Sequence, residues 1–319
     1  MPLHVLKFGG TSVGAPTALS NAAQIVARAA AEAQVVVVVS AASGVTDTLA
    51  HAVAALDGTG SDAGPHVARV RDRYARLAAA ALSRDGLRRY EVALGIHTAA
   101  LGRVLREVSG ECATFALRDA ALAVGERLSA PLVAALLSET KLDAQPVDAA
   151  RLVRTDDRHG VASVDALATY PALRAWHRAL RPGVVPVVTG YLGSTDRGTV
   201  TTLGRGGSDY TAGLVAAALG ADLLERWTDT DGLYDDDPNL NPDAAPVPTL
   251  RLDEAAALAR QGRLGMHPRA LDPLVGTATR VRVRSTAAPD APGSWLLPTS
   301  ADASPADSLT PEPAHASTP

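Results

Sequence analysis

A lysine set against a glycine pair is the first group in this chain equipped to do chemistry. Leu3 to Phe8 reads as an apolar strand that ends on Lys7 and Phe8 and breaks into Gly9-Gly10-Thr11-Ser12-Val13-Gly14. Glycines let backbone N–H groups approach an anion closely, and the helix expected from Pro16 to Ala33 would add its partial positive N-terminus. Lys7 contributes a compact full charge. Only two of the 30 basic residues are lysines, Lys7 and Lys141, so Lys7 stands out from an arginine-rich background. The residues alone also allow a strand-end lysine that simply reaches to solvent.

Three further groups have the right residue types. Gly204-Arg205-Gly206-Gly207 opens an alanine-rich helix with Ser208 and Asp209 in its first turn, a second anion-binding helix terminus. Gly125-Glu126 puts a carboxylate inside an apolar helical stretch, where the residues equally allow an exposed helical glutamate beside Arg127. Five aspartates crowd Asp229 to Asp237, which suggests calcium. An EF-hand loop needs glycine at its sixth position and glutamate at its twelfth; this stretch provides neither, so a polar loop that contacts a nucleotide or magnesium fits better. His267 before Pro268 reads as a capping or packing residue.

The elements that must position these groups alternate. Gln34 to Val39 carries five consecutive valines, apolar on both faces as a buried parallel strand requires. It ends at Ser40, and the loop through Thr46 leads into another helix. Further strands are expected at Val184 to Gly190 and Leu223 to Thr228, with a last one near Thr279 to Arg284. Val147 and Leu152-Val153 read as short edge strands. Helices are expected across His66 to Leu137, Val164 to Leu180, Leu252 to Arg260 and His267 to Val275, and a hairpin turn at Gly193 to Gly198. Strand, Gly/Ser/Thr loop, helix, repeated, is the pattern of a wound α/β sheet whose ligands sit at the carboxyl ends of the strands.

Composition narrows the class. With 47% hydrophobic residues the chain can bury a large core, built mostly from small side chains because only two phenylalanines and three tryptophans occur. A net charge of −4 gives no electrostatic case for nucleic acid or an anionic membrane. The single cysteine, Cys112, excludes an internal disulfide framework and a cysteine-based metal cluster. No charged leader and no run of about 18 consecutive apolar residues is evident, so a soluble cytoplasmic protein is the expectation.

Taken together, these motifs resemble the aspartate kinases of the amino-acid kinase superfamily. The resemblance rests on Lys7-Phe8-Gly9-Gly10-Thr11-Ser12-Val13, Ser40 with Ser43-Gly44-Val45-Thr46, Gly125-Glu126, Gly204 to Tyr210, and Trp227 to Tyr234. It continues through Met266-His267-Pro268-Arg269-Ala270, Val281 to Thr286 and Ala291-Pro292-Gly293, covering residues 1 to about 297. It implies a three-layer αβα fold with a mainly parallel sheet over 1–297, before a disordered Pro/Ala/Ser-rich tail at 298–319. It also implies transfer of phosphate from ATP, with magnesium carried on the ATP phosphates, to the side chain of L-aspartate. That step would open the route to lysine, threonine and methionine. By resemblance, Lys7 bridges the transferring phosphoryl oxygens and Gly9, Gly10 and Ser12 cradle the phosphates. Arg205, with Ser208 beside it, grips the substrate's α-carboxylate. Glu126 takes its ammonium, Ser40 and Thr46 bond its carboxylates, and Asp209 organises Lys7 or magnesium. Thr228, Asp229, Tyr234 and Asp237 would hold the nucleotide.

Departures from the family pattern set two alternatives. Leu264 stands where the family usually has a lysine, with Arg263 one residue early and able to compensate, and Asn239 replaces an expected arginine. Weak ATP affinity follows, and a non-catalytic aspartate- or nucleotide-binding homologue becomes the competing reading, beside a kinase of another small amino acid. The tail is too short for the paired ACT domains common in aspartate kinases, so feedback through a fused ACT pair is not expected. The resemblance allows a homodimer and a separate ACT-bearing regulatory subunit.

Overall fold

The structure, a computed structural model, describes residues 1–236, 241 and 243–298. The chain enters through β1 (Leu3–Phe8), α1 (Pro16–Glu32), β2 (Gln34–Val39) and α2 (Val45–Leu56). A helical excursion follows: α3 (Gly64–Ala81), α4 (Arg84–Glu111), α5 (Phe115–Leu122) and α6 (Val124–Glu139). Next come β3 (Asp143–Val147), α7 (Ala166–Arg178), β4 (Val184–Thr189), the hairpin of β5 (Leu192–Ser194) and β6 (Val200–Thr202), α8 (Gly207–Leu219) and β7 (Leu223–Thr228). The last part holds β8 (Leu233–Tyr234), β9 (Pro246–Val247), β10 (Thr249–Arg251), α9 (Leu252–Arg260), β11 (Arg280–Ser285) and β12 (Ser294–Leu297).

Five valines in a row need cover on both faces, and β2 has it. It lies inside an eight-stranded sheet of order β10-β12-β11-β7-β1-β2-β4-β3, parallel throughout except where β12 runs against β11. Val35, Val37 and Val39 join Leu6 and Phe8 in a core with α1, α2, α3, α4 and α6. Val36 and Val38 join Val5 in a second core with α8, α9 and Leu173 of α7. The three-layer αβα sandwich expected from the sequence is the observed fold. Phe115–Glu139 holds an 18-residue window apolar enough to cross a membrane, but 78% of that window is buried and the helix breaks at Ala123. Its apolarity serves the core.

Two local expectations are corrected, and one strand is added. Leu152-Val153 is not a strand: Thr189 and Asp148 side chains accept the N–H groups of Ala149 and Ala150, curling the backbone into a 3-10 turn over Ala149–Arg151. His267 to Val275 is not one helix but two 3-10 turns, because Pro268 and Pro273 remove N–H donors and disfavour the helical conformation before them. β12, unforeseen, pairs with β11 and carries β10 at the sheet edge.

Candidate active site

Strands β7, β1, β2 and β4 end side by side, and the loops that leave them touch one another. Gly9 N–H donates to the Trp227 carbonyl at 3.1 Å, Ser40 N–H to Phe8, Ser43 N–H to Gly10, and Gly190 N–H to Val39. A Cβ on Gly10 would lie 2.9 Å from the Ala41 carbonyl, so a side chain there would part the first two loops. The helices that start here (α1, α2, α6 and α8) have no side-chain N-cap, whereas α4, α5 and α7 are capped by Ser83, Thr114 and Asp165. Uncapped helix termini leave backbone N–H groups for other acceptors.

Lys7 is buried and faces the α8 side of the sheet, in register with Arg226. Asp209, in the first turn of α8, reaches between them: Oδ1 lies 2.5 Å from Lys7 Nζ and Oδ2 3.2 Å from Arg226 Nε. Burial opposes ionisation of Asp209, but the two cations outweigh it and hold its carboxyl down at about 2. Burial also pushes the Lys7 ammonium below its ordinary value, against the pull of Asp209. A lysine so placed is a fixed, poorly hydrated cation.

Glu126 sits in the first turn of α6, not within a long helix, because the chain breaks after α5. It is 3% exposed, which rules out the solvated-glutamate reading. Its Oε1 accepts from Ala41 N–H at 3.1 Å, while Oε2 has no partner among the described residues. Burial pushes this carboxyl up to about 8, although the Ala41 bond and the charge of Lys7 favour ionisation. A buried acceptor left without a donor costs about 1–3 kcal/mol. A ligand ammonium would remove that cost.

Ser40 follows β2 directly and is half-buried, and Thr46 lies half-buried in the first turn of α2, which opens on Gly44 at φ 77°. Arg205 is exposed and makes no ion pair or hydrogen bond among the described residues. Its loop is held from behind. Arg269 donates to the carbonyls of Leu203 (2.8 Å) and Ala162 (3.0 Å) and lies over the Tyr210 ring. Gly206, at φ 72°, sits so close to His267 that a Cβ would come within 2.5 Å of it. His267 Nδ1 accepts from Arg269 N–H, the capping role expected of it. Ser208 backs onto Gly190.

Thr228, Asp229 and Tyr234 line a cleft of about 190 Å³ with Arg226, Gly232 and Leu264. The Thr228 hydroxyl donates to Asp229 at 3.0 Å. Leu264 is buried in the cleft wall at φ 67°, and Arg263 is exposed outside the lining, its Nε 3.4 Å from the Asp235 carbonyl. Ser12, expected at the nucleotide, has its hydroxyl committed to Thr286 (2.7 Å) and the Trp227 carbonyl, and its N–H to Gly9. It anchors the glycine loop and presents neither group to a ligand. Asp237 and Asn239 lie outside the described residues. No cluster of three His, Cys, Asp or Glu side chains able to hold a metal occurs among the described residues. A larger cleft of about 1000 Å³ between α3 and α4 lies away from all these groups.

Two residues of the site escaped the sequence reading. Arg226 follows Glu225 in β7, and only the strand register puts it across from Lys7. Tyr191, just past β4, adopts φ 70°; burial, reinforced by the charges of Glu126 and Asp119, pushes its hydroxyl up to about 12 although a bond to Thr202 opposes this. Neither carries a sequence signal beyond its neighbourhood.

The chain is similar to known proteins over most of its length. Residues 2–285 match the amino acid kinase family. Lysine-sensitive aspartokinase 3 of Escherichia coli is 36% identical over 298 residues, 92% of this chain and 63% of that protein. Chloroplastic aspartokinase 1 of Arabidopsis thaliana is 40% identical over 192 residues, 58% of this chain and 33% of that one. The crystal structure of E. coli aspartokinase III with aspartate and ADP superimposes with a TM-score of 0.84 at 31% identity, covering 93% of this chain and 65% of that one. The chain thus spans less than two-thirds of the length of these relatives.

Proposed function

We propose that this chain, which belongs to the amino acid kinase family, transfers the γ-phosphoryl group of ATP to the side-chain carboxylate of L-aspartate, giving 4-phospho-L-aspartate and ADP. The observation that carries this reading is the buried Oε2 of Glu126, without a partner among the described residues, in a site that also holds Lys7. An acceptor with no donor suits an ammonium group. The planar fork of Arg205, unpaired among the described residues, suits an α-carboxylate. A substrate with both groups is an α-amino acid.

The reaction then asks little proton chemistry of the protein. The substrate's carboxylate oxygen attacks the γ-phosphorus, a new P–O bond forms, and the bond to the β-bridging oxygen breaks with its electron pair leaving on ADP. No base is needed, so positioning and charge neutralisation supply the catalysis. Lys7, held by Asp209 and unable to swing away, neutralises the moving phosphoryl group; Gly9 and Gly10 let the backbone approach it. Ser40 and Thr46 bond the substrate's carboxylates, Ser208 lines its site, and Thr228, Asp229, Tyr234 and Asp237 hold the nucleotide, with Arg263 at its edge. Magnesium would arrive on the ATP phosphates and shield their charge there. The product is the activated carboxyl from which lysine, threonine and methionine synthesis proceeds, and we place the chain in the cytoplasm, as a homodimer open to an ACT-bearing partner. Sedimentation reads the assembly.

The neutral wall that Leu264 gives the nucleotide cleft favours one second reading, a subunit that binds aspartate without turnover. ADP release measured with magnesium-ATP against aspartate, glutamate and aspartate analogues lacking the amino group separates the readings. Turnover with aspartate alone supports the kinase; aspartate binding with no turnover at millimolar ATP supports the binding subunit.

A further inference from the structure

The fully buried carboxylate of Asp119 has no part in the reaction as described, yet it ties together the two elements that hold the substrate. It lies in α5, seven residues before Glu126, and its own carbonyl accepts the Ala123 N–H (2.9 Å) at the joint where α6 begins. Its side chain reaches the other way. Oδ1 accepts from the Thr202 hydroxyl at 2.7 Å; Oδ2 accepts from Thr202 N–H (3.0 Å), Gly160 N–H (3.0 Å) and His159 Nδ1 (2.8 Å). An ionised carboxylate only accepts, so Nδ1 of His159 carries the proton. Thr202 is three residues before Arg205, and its side chain also bonds the Tyr191 hydroxyl. The Gly160 carbonyl packs on Gly204, at 3.1 Å from where a Cβ would be. Four donors, two from Thr202 at the end of β6 and two from the loop at His159 and Gly160, make a rigid joint on one buried carboxylate, since a charge removed from water persists only when its hydrogen bonds are met.

We propose that Asp119 is a positioning residue that sets the separation of Glu126 from Arg205, and so fixes the grip on the ammonium and α-carboxylate of the substrate. The proposal rests on the aspartate reading of the site. Asparagine keeps the shape of the joint but not its charge: its NH₂ group could donate to the Thr202 hydroxyl, which accepts as well as donates, and the three donors at Oδ2 would then meet a neutral amide oxygen, so the charge-assisted bonds are lost.

The test compares Asp119→Asn with the unaltered full chain in steady-state assays that vary aspartate and ATP separately. The expected result is an aspartate KM raised by about tenfold or more, with the ATP KM changed less than about twofold. A merely structural role would lower the fraction of active enzyme, and hence kcat, at an unchanged aspartate KM; that outcome overturns the proposal. If Asp119→Asn does not fold, Thr202→Val removes the Oγ1 bond to Asp119, together with the bond to the Tyr191 hydroxyl, and leaves the other three donors on Oδ2 in place. It should still raise the aspartate KM by about threefold, and an unchanged KM there overturns the proposal equally. Failure of the substrate reading looks different, because the unaltered chain itself would then show no saturation by aspartate, and the proposal would fall with it.

Discussion

The two halves of the site are built to different standards. On the side proposed for the amino acid and the moving phosphoryl group, Lys7 is buried against Asp209, which Arg226 holds from the edge of the nucleotide cleft, and Glu126 keeps one buried oxygen without a partner among the described residues. On the nucleotide side, Asp229 is exposed, Leu264 gives the wall an apolar surface, and Arg263 points its Nε at a backbone carbonyl. Charges held in a low-dielectric setting act strongly and with fixed geometry; exposed ones are screened. The amino acid should therefore be recognised more stringently than the nucleotide. Affinity for ATP has room to improve.

The largest effect that would break this contrast comes from its centre. Lys7→Ala should lower kcat on the order of 1000-fold or more while aspartate binding, read by calorimetry, stays largely intact. Surviving turnover would remove Lys7 from the phosphoryl path. Glu126→Gln comes next, raising the aspartate KM by roughly 10- to 100-fold with little change in the ATP KM. The same residue gives the contrast a pH signature. Its folded carboxyl titrates at about 8 and takes an ammonium only when ionised, so the aspartate KM should fall as pH rises toward 8. The sign for stability is opposite. Carboxyl protonation is favoured in the fold, so the wild type should lose stability as pH rises from the ordinary carboxyl range, about 4.3, toward 8. Glu126→Gln should consequently melt higher than wild type at pH 8 in the absence of ligand. Asp209 behaves the other way: its contribution is complete above the ordinary carboxyl value and fades only as pH falls toward about 2.

Smaller effects belong to the nucleotide side. Leu264→Lys should lower the ATP KM by roughly fivefold, the scale of one charge-assisted contact at a partly open cleft. Arg263→Ala should raise it by less than about threefold, since its guanidinium lies exposed outside the cleft lining. A larger loss on Arg263→Ala would mean that this arginine, one residue early in the chain, does take over the missing lysine's contact.

The same contrast governs how much could be read from the sequence. Consecutive valines and glycine-rich strand ends depend on local pattern, so the parallel sheet and the loops around Lys7 and Gly204 to Asp209 were legible. Glu126 was found by its motif and misplaced within its helix, because the break at Ala123 carries no glycine or proline to mark it. The resemblance puts Ser12 at the phosphates, but its orientation depends on Thr286, 274 residues away. Arg226, Tyr191 and Asp119 act through strand register and long-range hydrogen bonds, which leave no periodic trace. The turns at Pro268 and Pro273 are legible in the sequence, because each proline lacks an N–H donor and disfavours a continuous helix.

One measurement reaches the central claim, that a buried lysine neutralises phosphoryl transfer onto an amino acid's side-chain carboxylate. The full chain is incubated with magnesium-ATP, L-aspartate and hydroxylamine, and the aspartyl hydroxamate formed by trapping the acyl phosphate is quantified beside Lys7→Ala. The account predicts hydroxamate in step with ADP for the unaltered chain, and none above background for the variant. ADP without hydroxamate, or equal hydroxamate from both proteins, would contradict it.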